Sequence, residues 1–252
     1  TVGGNIAAGA GDDTLKLTGQ VDGTISDLEN APIEGTDMRD IITVRLNDTS
    51  GDMEVVRTTL GVTTTVTFFQ PLDSPRFIVN ITALDSSDTI VIDHANGGFV
   101  NADIILNGGG DTTGGGGDEI QVIANRAINP DIASTYIPGD STDNGVILVS
   151  AGGQVQTITF SNLTPVELTG MTSVTFQSPR SADLVTLEPS IGPVTALPAV
   201  RLFGTSGGTA FEELFVSDTL AFVVDLATAD TAGEAEQRDT VTIADGTLQI
   251  VP

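Results

Sequence analysis

A five-residue phrase, an aspartate followed by alternating apolar positions, recurs along this chain and constrains its fold more than any other feature. It reads Asp88-Thr89-Ile90-Val91-Ile92 in one copy. It returns as Asp13-Thr14-Leu15-Lys16-Leu17, Asp40-Ile41-Ile42-Thr43-Val44 and Asp118-Glu119-Ile120-Gln121-Val122. Later copies are Asp183-Leu184-Val185-Thr186-Leu187, Asp218-Thr219-Leu220-Ala221-Phe222 and Asp239-Thr240-Val241-Thr242-Ile243, with Asp103-Ile104-Ile105 as a clipped version. Alternation with a period of two marks a strand with one buried face. The leading aspartate suits the turn before each strand, where its carboxylate accepts a backbone N–H two residues on. The expectation is therefore a turn and then a short strand, many times over. Ile90, Ile92, Val241 and Ile243 are expected in a common core, with Thr89 and Thr242 mostly on the opposite face.

Between these phrases lie further β-branched runs. Val62-Thr63-Thr64-Thr65-Val66-Thr67-Phe68-Phe69 and the stretch from Phe77 to Leu84 read as strands. Val146–Ser150 and Val155–Phe160, joined by Ala151-Gly152-Gly153-Gln154, read as a hairpin. From Arg126 to Gly145 the apolar period is lost, and Pro130, Pro138 and Gly139 suggest a loop excursion. The expected organisation is a first β-repeat region over 1–125, a loop or boundary over 126–145, and a second β-repeat region over 146–252. The second region is read as a copy of the first, with Ile158-Thr159-Phe160 answering Val66-Thr67-Phe68. The fold class is all-β. An irregular parallel β-solenoid, or β-helix, is preferred because the phrase keeps its polarity and flanks; β-sandwich domains are the alternative.

Charge narrows the partners. There are 34 Asp and Glu against 9 Lys and Arg, a formal net charge of −25. Nucleic acid, which requires a basic surface, is excluded, and an anionic membrane surface is disfavoured. No apolar run reaches the length of a membrane span, so no membrane insertion is expected. The acidity has three readings: carboxylates that coordinate Ca²⁺, charge that keeps β-edges soluble, and adaptation to a salty habitat. With no cysteine there are no disulfides or thiolate metal sites. The chain opens on Thr1 without a signal peptide and reads as a piece of a longer precursor.

The Gly-rich turns, the Asp-Thr-Leu and Asp-Thr-Ile strands and the connection Thr164-Pro165-Val166-Glu167-Leu168-Thr169-Gly170 resemble the solenoid regions of very long secreted bacterial surface proteins. These include adhesin-like proteins and relatives of the haemolysin-type calcium-binding repeats. Gly9-Ala10-Gly11-Asp12-Asp13-Thr14-Leu15 and Gly114-Gly115-Gly116-Gly117-Asp118-Glu119-Ile120 approach the calcium nonapeptide letter by letter. The resemblance implies an extracellular, cell-surface location, repetition and Ca²⁺, and no enzyme activity. In a Gly-x-Gly-x-Asp turn, carbonyls and a carboxylate converge on a hard cation. Asp12, Asp13 and Asp118 are the candidate ligands there. Asp140-x-Thr142-x-Asn144-Gly145 matches the start of a calcium loop, with Ala151 where a late glutamate belongs. That makes Asp140 and Asn144 further candidates.

For catalysis there is little. His94 is the sole histidine and reads as a solvated turn residue. The enzyme class to weigh is the carbohydrate-active β-helix proteins, polysaccharide lyases or hydrolases. The Gly-His-Gly and Arg-x-Lys motifs of such hydrolases do not occur, and Arg126 near Asp118 is the one conceivable lyase arrangement. Asn47, Asn80 and Asn162 open acceptor sequons for glycosylation. The sequence thus leads to an extracellular structural or adhesive surface module without catalytic residues. Its expected partners are copies of itself, joined head-to-tail or by strand addition into a filament or surface layer, and a surface polysaccharide.

Overall fold

A computed structural model describes residues 2–3, 6–7, 21–22, 24–26, 30–68, 77–110, 117–228 and 239–244. These contain strands and turns and no helix, so the protein is all-β. The chain begins with β1 (Val2–Gly3), β2 (Ile6–Ala7), β3 (Val21–Asp22), β4 (Thr24–Ser26) and β5 (Asn30–Glu34). Next come β6 (Asp40–Leu46), β7 (Met53–Thr59), β8 (Val62–Phe68), β9 (Phe77–Thr82), β10 (Thr89–Asp93), β11 (Ala102–Asn107) and β12 (Glu119–Ile123). The middle holds β13 (Ala133–Pro138), β14 (Gly145–Ala151), β15 (Gln154–Ser161), β16 (Val166–Thr169) and β17 (Ser173–Gln177). The last are β18 (Leu184–Ile191), β19 (Pro198–Ser206), β20 (Thr209–Ala210), β21 (Leu214–Ser217), β22 (Ala221–Asp225) and β23 (Thr240–Ile243).

Among the described residues these strands form two large mixed sheets and a small pair, β1 with β3. The 13-stranded sheet runs β2-β4-β8-β7-β6-β10-β12-β16-β21-β19-β18-β23, with β20 beside β19. The 8-stranded sheet runs β22-β17-β13-β14-β15-β11-β9-β5. From β9 to β17 the chain alternates between them: β9, β11, β13 to β15 and β17 lie in the smaller sheet, β10, β12 and β16 in the larger. Strands β6, β10, β12, β16 and β21 are parallel neighbours in register. So are β5, β9, β11 and β15.

The parallel pattern expected of a solenoid is interrupted three times. Antiparallel pairing joins β6, β7 and β8, then β13, β14 and β15, then β18, β19 and β21. Tight turns explain two of these hairpins. Leu60-Gly61 and Gly152-Gly153 all have positive φ, the backbone that two-residue hairpin turns require. The hairpin expected at Val146–Phe160 is therefore β14–β15. Residues 126–145, expected as an irregular loop, contain β13. Its run Ser134, Tyr136, Pro138 alternates inward, and it pairs with both β14 and β17.

Inward side chains of both large sheets meet in one apolar cluster extending from Ile33 to Val216. Ile42, Val44, Ile90, Ile92, Ile120, Val122, Val166, Leu168, Leu214 and Val216 fill it from one side. Val79, Ile81, Ile104, Leu106, Ile158, Phe160, Ile147, Val149, Tyr136, Val174 and Phe176 fill it from the other. Ile90 and Ile92 are buried as the alternation requires. Thr89, on the opposite row, is buried as well. At β16 the outer face of the larger sheet is covered by the β18–β19 connection. Glu167 on β16 accepts the Val194 and Thr195 N–H groups at 2.8 and 3.2 Å and the Thr195 hydroxyl.

Two sequence expectations fail here. Val241 and Ile243 are 48% and 63% exposed. Their strand β23 is the outermost of its sheet and pairs only with β18 among the described residues. The Val66-Thr67-Phe68 and Ile158-Thr159-Phe160 segments are not equivalent copies. The first is β8 of the larger sheet and the second β15 of the smaller one. The phrase at Asp13 lies outside the described residues.

Candidate functional site

The parallel register stacks Asp88 between Asp40 and Asp118, each one residue ahead of the paired segments of β6, β10 and β12. The same register places Thr164 and then Glu212 next in line, ahead of β16 and β21. The aspartates were expected to bind N–H groups of their own turns. Instead they bind sideways. The Asp40 N–H donates to Asp88 Oδ1 at 2.6 Å, and the Asp88 N–H to Asp118 Oδ1 at 2.7 Å. The Asp183 N–H donates to Asp239 Oδ1 at 3.1 Å, and in the smaller sheet the Thr157 N–H donates to Asp103 Oδ1 at 2.7 Å. The local turns are made at the other ends of the strands. There Asn47, Asp93, Asn107, Asn125 and Asp225 accept the N–H two residues on.

The column is sealed. Asp40, Asp88, Asp118 and Glu212 are all buried. The Asp40 carboxylate is filled by the Thr36 N–H at 2.6 Å, the Thr36 hydroxyl at 3.1 Å and the Thr59 hydroxyl. Asp88 has one oxygen on the Asp40 N–H, and its Oδ2 has no partner. Burial pushes the Asp88 carboxyl up to about 7; the Asp40 N–H opposes this, and the Asp118 and Asp40 charges add to it. Glu212 accepts the Thr164 hydroxyl at 2.7 Å and the Glu213 N–H at 2.9 Å through Oε1. Its Oε2 has no partner, and burial pushes the carboxyl up to about 8 against those two bonds. Nearby, the buried Tyr136 hydroxyl has no hydrogen bond, and burial with the Glu212 charge raises its pKa well above the usual phenol range.

His94 is not a solvated turn residue. It is fully buried, stacked on Phe99 at 5.1 Å between ring centroids. Its Nδ1 accepts the Val100 N–H at 3.1 Å, which leaves the ring proton on Nε2, a buried nitrogen without a hydrogen-bond partner. Gln156 is itself anchored by donating to the Val100 and Ala102 carbonyls. Burial lowers the His94 pKa to about 4, with Gln156 opposing. The imidazole is a neutral core group.

The calcium candidates are scattered. Asp118 is committed to the column. Asp140 is exposed and paired with Arg180. Asn144 Oδ1 accepts the Ser141 N–H at 3.3 Å within its own turn. Asp12 and Asp13 lie outside the described residues. Among the described residues no three His, Cys, Asp or Glu side chains are grouped to hold a metal ion. Arg126 stands at the opposite end of β12 from Asp118. It holds the Met171 and Asp218 carbonyls and the Asp218 carboxylate, 2.7 Å from Nη2. Of the sequon asparagines, Asn47 donates to Glu54 at 2.6 Å, and exposed Asn162 donates to Asn107 at 2.8 Å. Asn80 lies on the outward row of β9.

Sequence reasoning found the aspartates but missed Glu212, Glu167, Gln156 and Tyr136. A lone Glu-Glu pair or Gln in a threonine-rich strand carries no local signal of burial. Chemically, the column can hold protons and fix strand register, and all four of its carboxyl side chains are buried. No family model, curated protein or solved structure matches the chain. Among the described residues no helix is long and apolar enough to cross a membrane.

Proposed function

We propose that this chain is an extracellular structural or adhesive surface module, built as an irregular two-walled β-solenoid and without enzymatic activity. The observation that carries this reading is the alternation of successive strands between two walls, with aspartates bonded sideways at the start of stacked strands. Each circuit then adds one strand to each wall and extends a common core, the logic of a stacked repeat. The interrupting hairpins thicken the walls without breaking the core. The acidic balance of −25 and the resemblance to surface repeats support the location. The carboxylates gathered in the column are closed to a sugar chain, which weakens the carbohydrate-active alternative.

The margins of the walls support assembly through strand addition. β22 is the outermost described strand of the smaller sheet, with Val223 exposed on it and Leu220 exposed just before it. At the opposite margin β5 carries Pro32, which has no N–H to offer a further strand. Growth is therefore expected at the β22 margin, and screening of the acidic charge by salt or Ca²⁺ favours it. Sedimentation and electron microscopy across a salt series, with and without Ca²⁺, test this. Oligomers that grow with salt are expected. A monomer under every condition contradicts the assembly reading, and release of reducing or unsaturated ends from a polysaccharide panel contradicts the non-enzymatic one.

A further inference from the structure

We propose that the Asp40–Asp88–Asp118 column is a proton-operated lock, in which Asp88 is held as a neutral carboxylic acid and its ionisation loosens the β6–β10–β12 stack. The inference does not depend on the surface-module reading. Its basis is the unequal outfitting of the three side chains. Asp40 has both oxygens occupied by donors from Thr36 and Thr59. Asp118 receives the Asp88 N–H. Asp88 alone has an oxygen that is buried and without any donor, and its residue is 1% exposed.

The surroundings place the proton on Asp88. Carboxyl groups stand on both sides of it, Asp40 from β6 and Asp118 from the turn before β12, at the spacing of adjacent strands, about 4.8 Å. The one cationic group that acts on it is Arg39, whose side chain is exposed. An ionised Asp88 would put a charge between two like groups with one oxygen unsolvated. The neutral acid keeps Oδ1 as the acceptor for the Asp40 N–H and removes that charge. The lateral bonds at the start of three strands are thus held together by a bound proton. The sign follows from the direction of the shift. The folded carboxyl is raised from 3.8 to about 7, so its contribution is complete below about pH 4 and is lost as the pH rises through about 7.

The test is the titration of the aspartate Cγ resonances in the intact chain by carbon-detected NMR, with Asp88→Asn to assign the signal. One aspartate Cγ is expected to titrate near neutral pH and to vanish in Asp88→Asn. The Asp40 amide is expected to lose protection about tenfold, after correction for intrinsic exchange, between about pH 5 and pH 9. In Asp88→Asn, whose Oδ1 still accepts, that pH-dependent loss is expected to disappear. If every aspartate titrates in the ordinary carboxylate range, or the Asp40 amide is equally protected at both pH values, the lock does not exist. Should the variant fail to fold, the wild-type exchange still decides, because the Asp40 amide reports directly on its bond to Asp88 Oδ1.

Discussion

The Asp88 N–H donates to the Asp118 carboxylate at 2.7 Å, a buried bond that joins residues 30 apart in the sequence. It is one of several lateral bonds that tie the start of one strand to the start of the next. A slip of one residue between parallel strands would turn every inward side chain out. The aspartates therefore act on register, and the apolar rows supply the energy that register protects.

Those rows give a first prediction. Ile90 is wholly buried between Ile42 and Ile120 in the stacked row. Replacing it by Ala is expected to cost about 2–5 kcal/mol in chemical denaturation. Ile243→Ala, in exposed β23, is expected to change stability by no more than about 0.5 kcal/mol. Equal effects at the two sites contradict the assigned burial.

Much of this was legible beforehand, and the exceptions have physical causes. The period of two identified β10, β12 and the β14–β15 hairpin, because alternation and Gly-Gly turns are local signals. The same phrase misled at Val241 and Ile243, since alternation reports a face and not what covers it. The bonding of Asp88 was invisible, because its partner depends on which strand lies alongside. His94 was misread because its flanks Asp93, Ala95 and Asn96 are polar or small and carry no sign that the ring is buried and stacked on Phe99.

Glu212 provides a pH prediction. Its carboxyl is raised from 4.5 to about 8 by burial, so the folded state is penalised as the pH rises through that range. Glu212→Gln keeps an acceptor for the Thr164 hydroxyl and removes the buried charge. It is expected to be more stable than wild type by about 1–4 kcal/mol above pH 8, with the gain absent near pH 4. Thermal melts across pH measure this; a gain that does not depend on pH contradicts it.

His94 works in the opposite direction. Its pKa falls from 6.5 to about 4 on folding, so its contribution is present above pH 6.5 and is lost as the pH drops to about 4. The loss is about 3 kcal/mol at full extent. His94→Asn retains an acceptor for the Val100 N–H and cannot titrate. The difference between wild type and variant, which cancels the carboxyl contributions, is expected to shrink by that amount on acidification. A constant difference from pH 7 to pH 4 contradicts the buried neutral imidazole.

Gly170 follows β16 with φ +76°, and a Cβ there would collide with the Ala124 carbonyl oxygen of the neighbouring strand's turn. Gly170→Ala is expected to cost about 2–4 kcal/mol, because strain and the clash add. Gly152, with φ +59° but open space around it, is expected to cost only about 1 kcal/mol when replaced by Ala. Similar costs would mean that the turns are not in close contact.

The claim that the leading aspartates lock neighbouring strands, and do not cap their own turns, is tested most directly by hydrogen exchange at one amide. The Asp88 N–H is measured in wild type, Asp118→Asn and Asp118→Ala. Protection is expected in wild type and in Asp118→Asn, and a loss of about tenfold or more in Asp118→Ala, with the Ile90 and Ile92 amides still protected. An Asp88 amide that exchanges at the same rate in all three proteins would contradict the lateral bond and the register it sets.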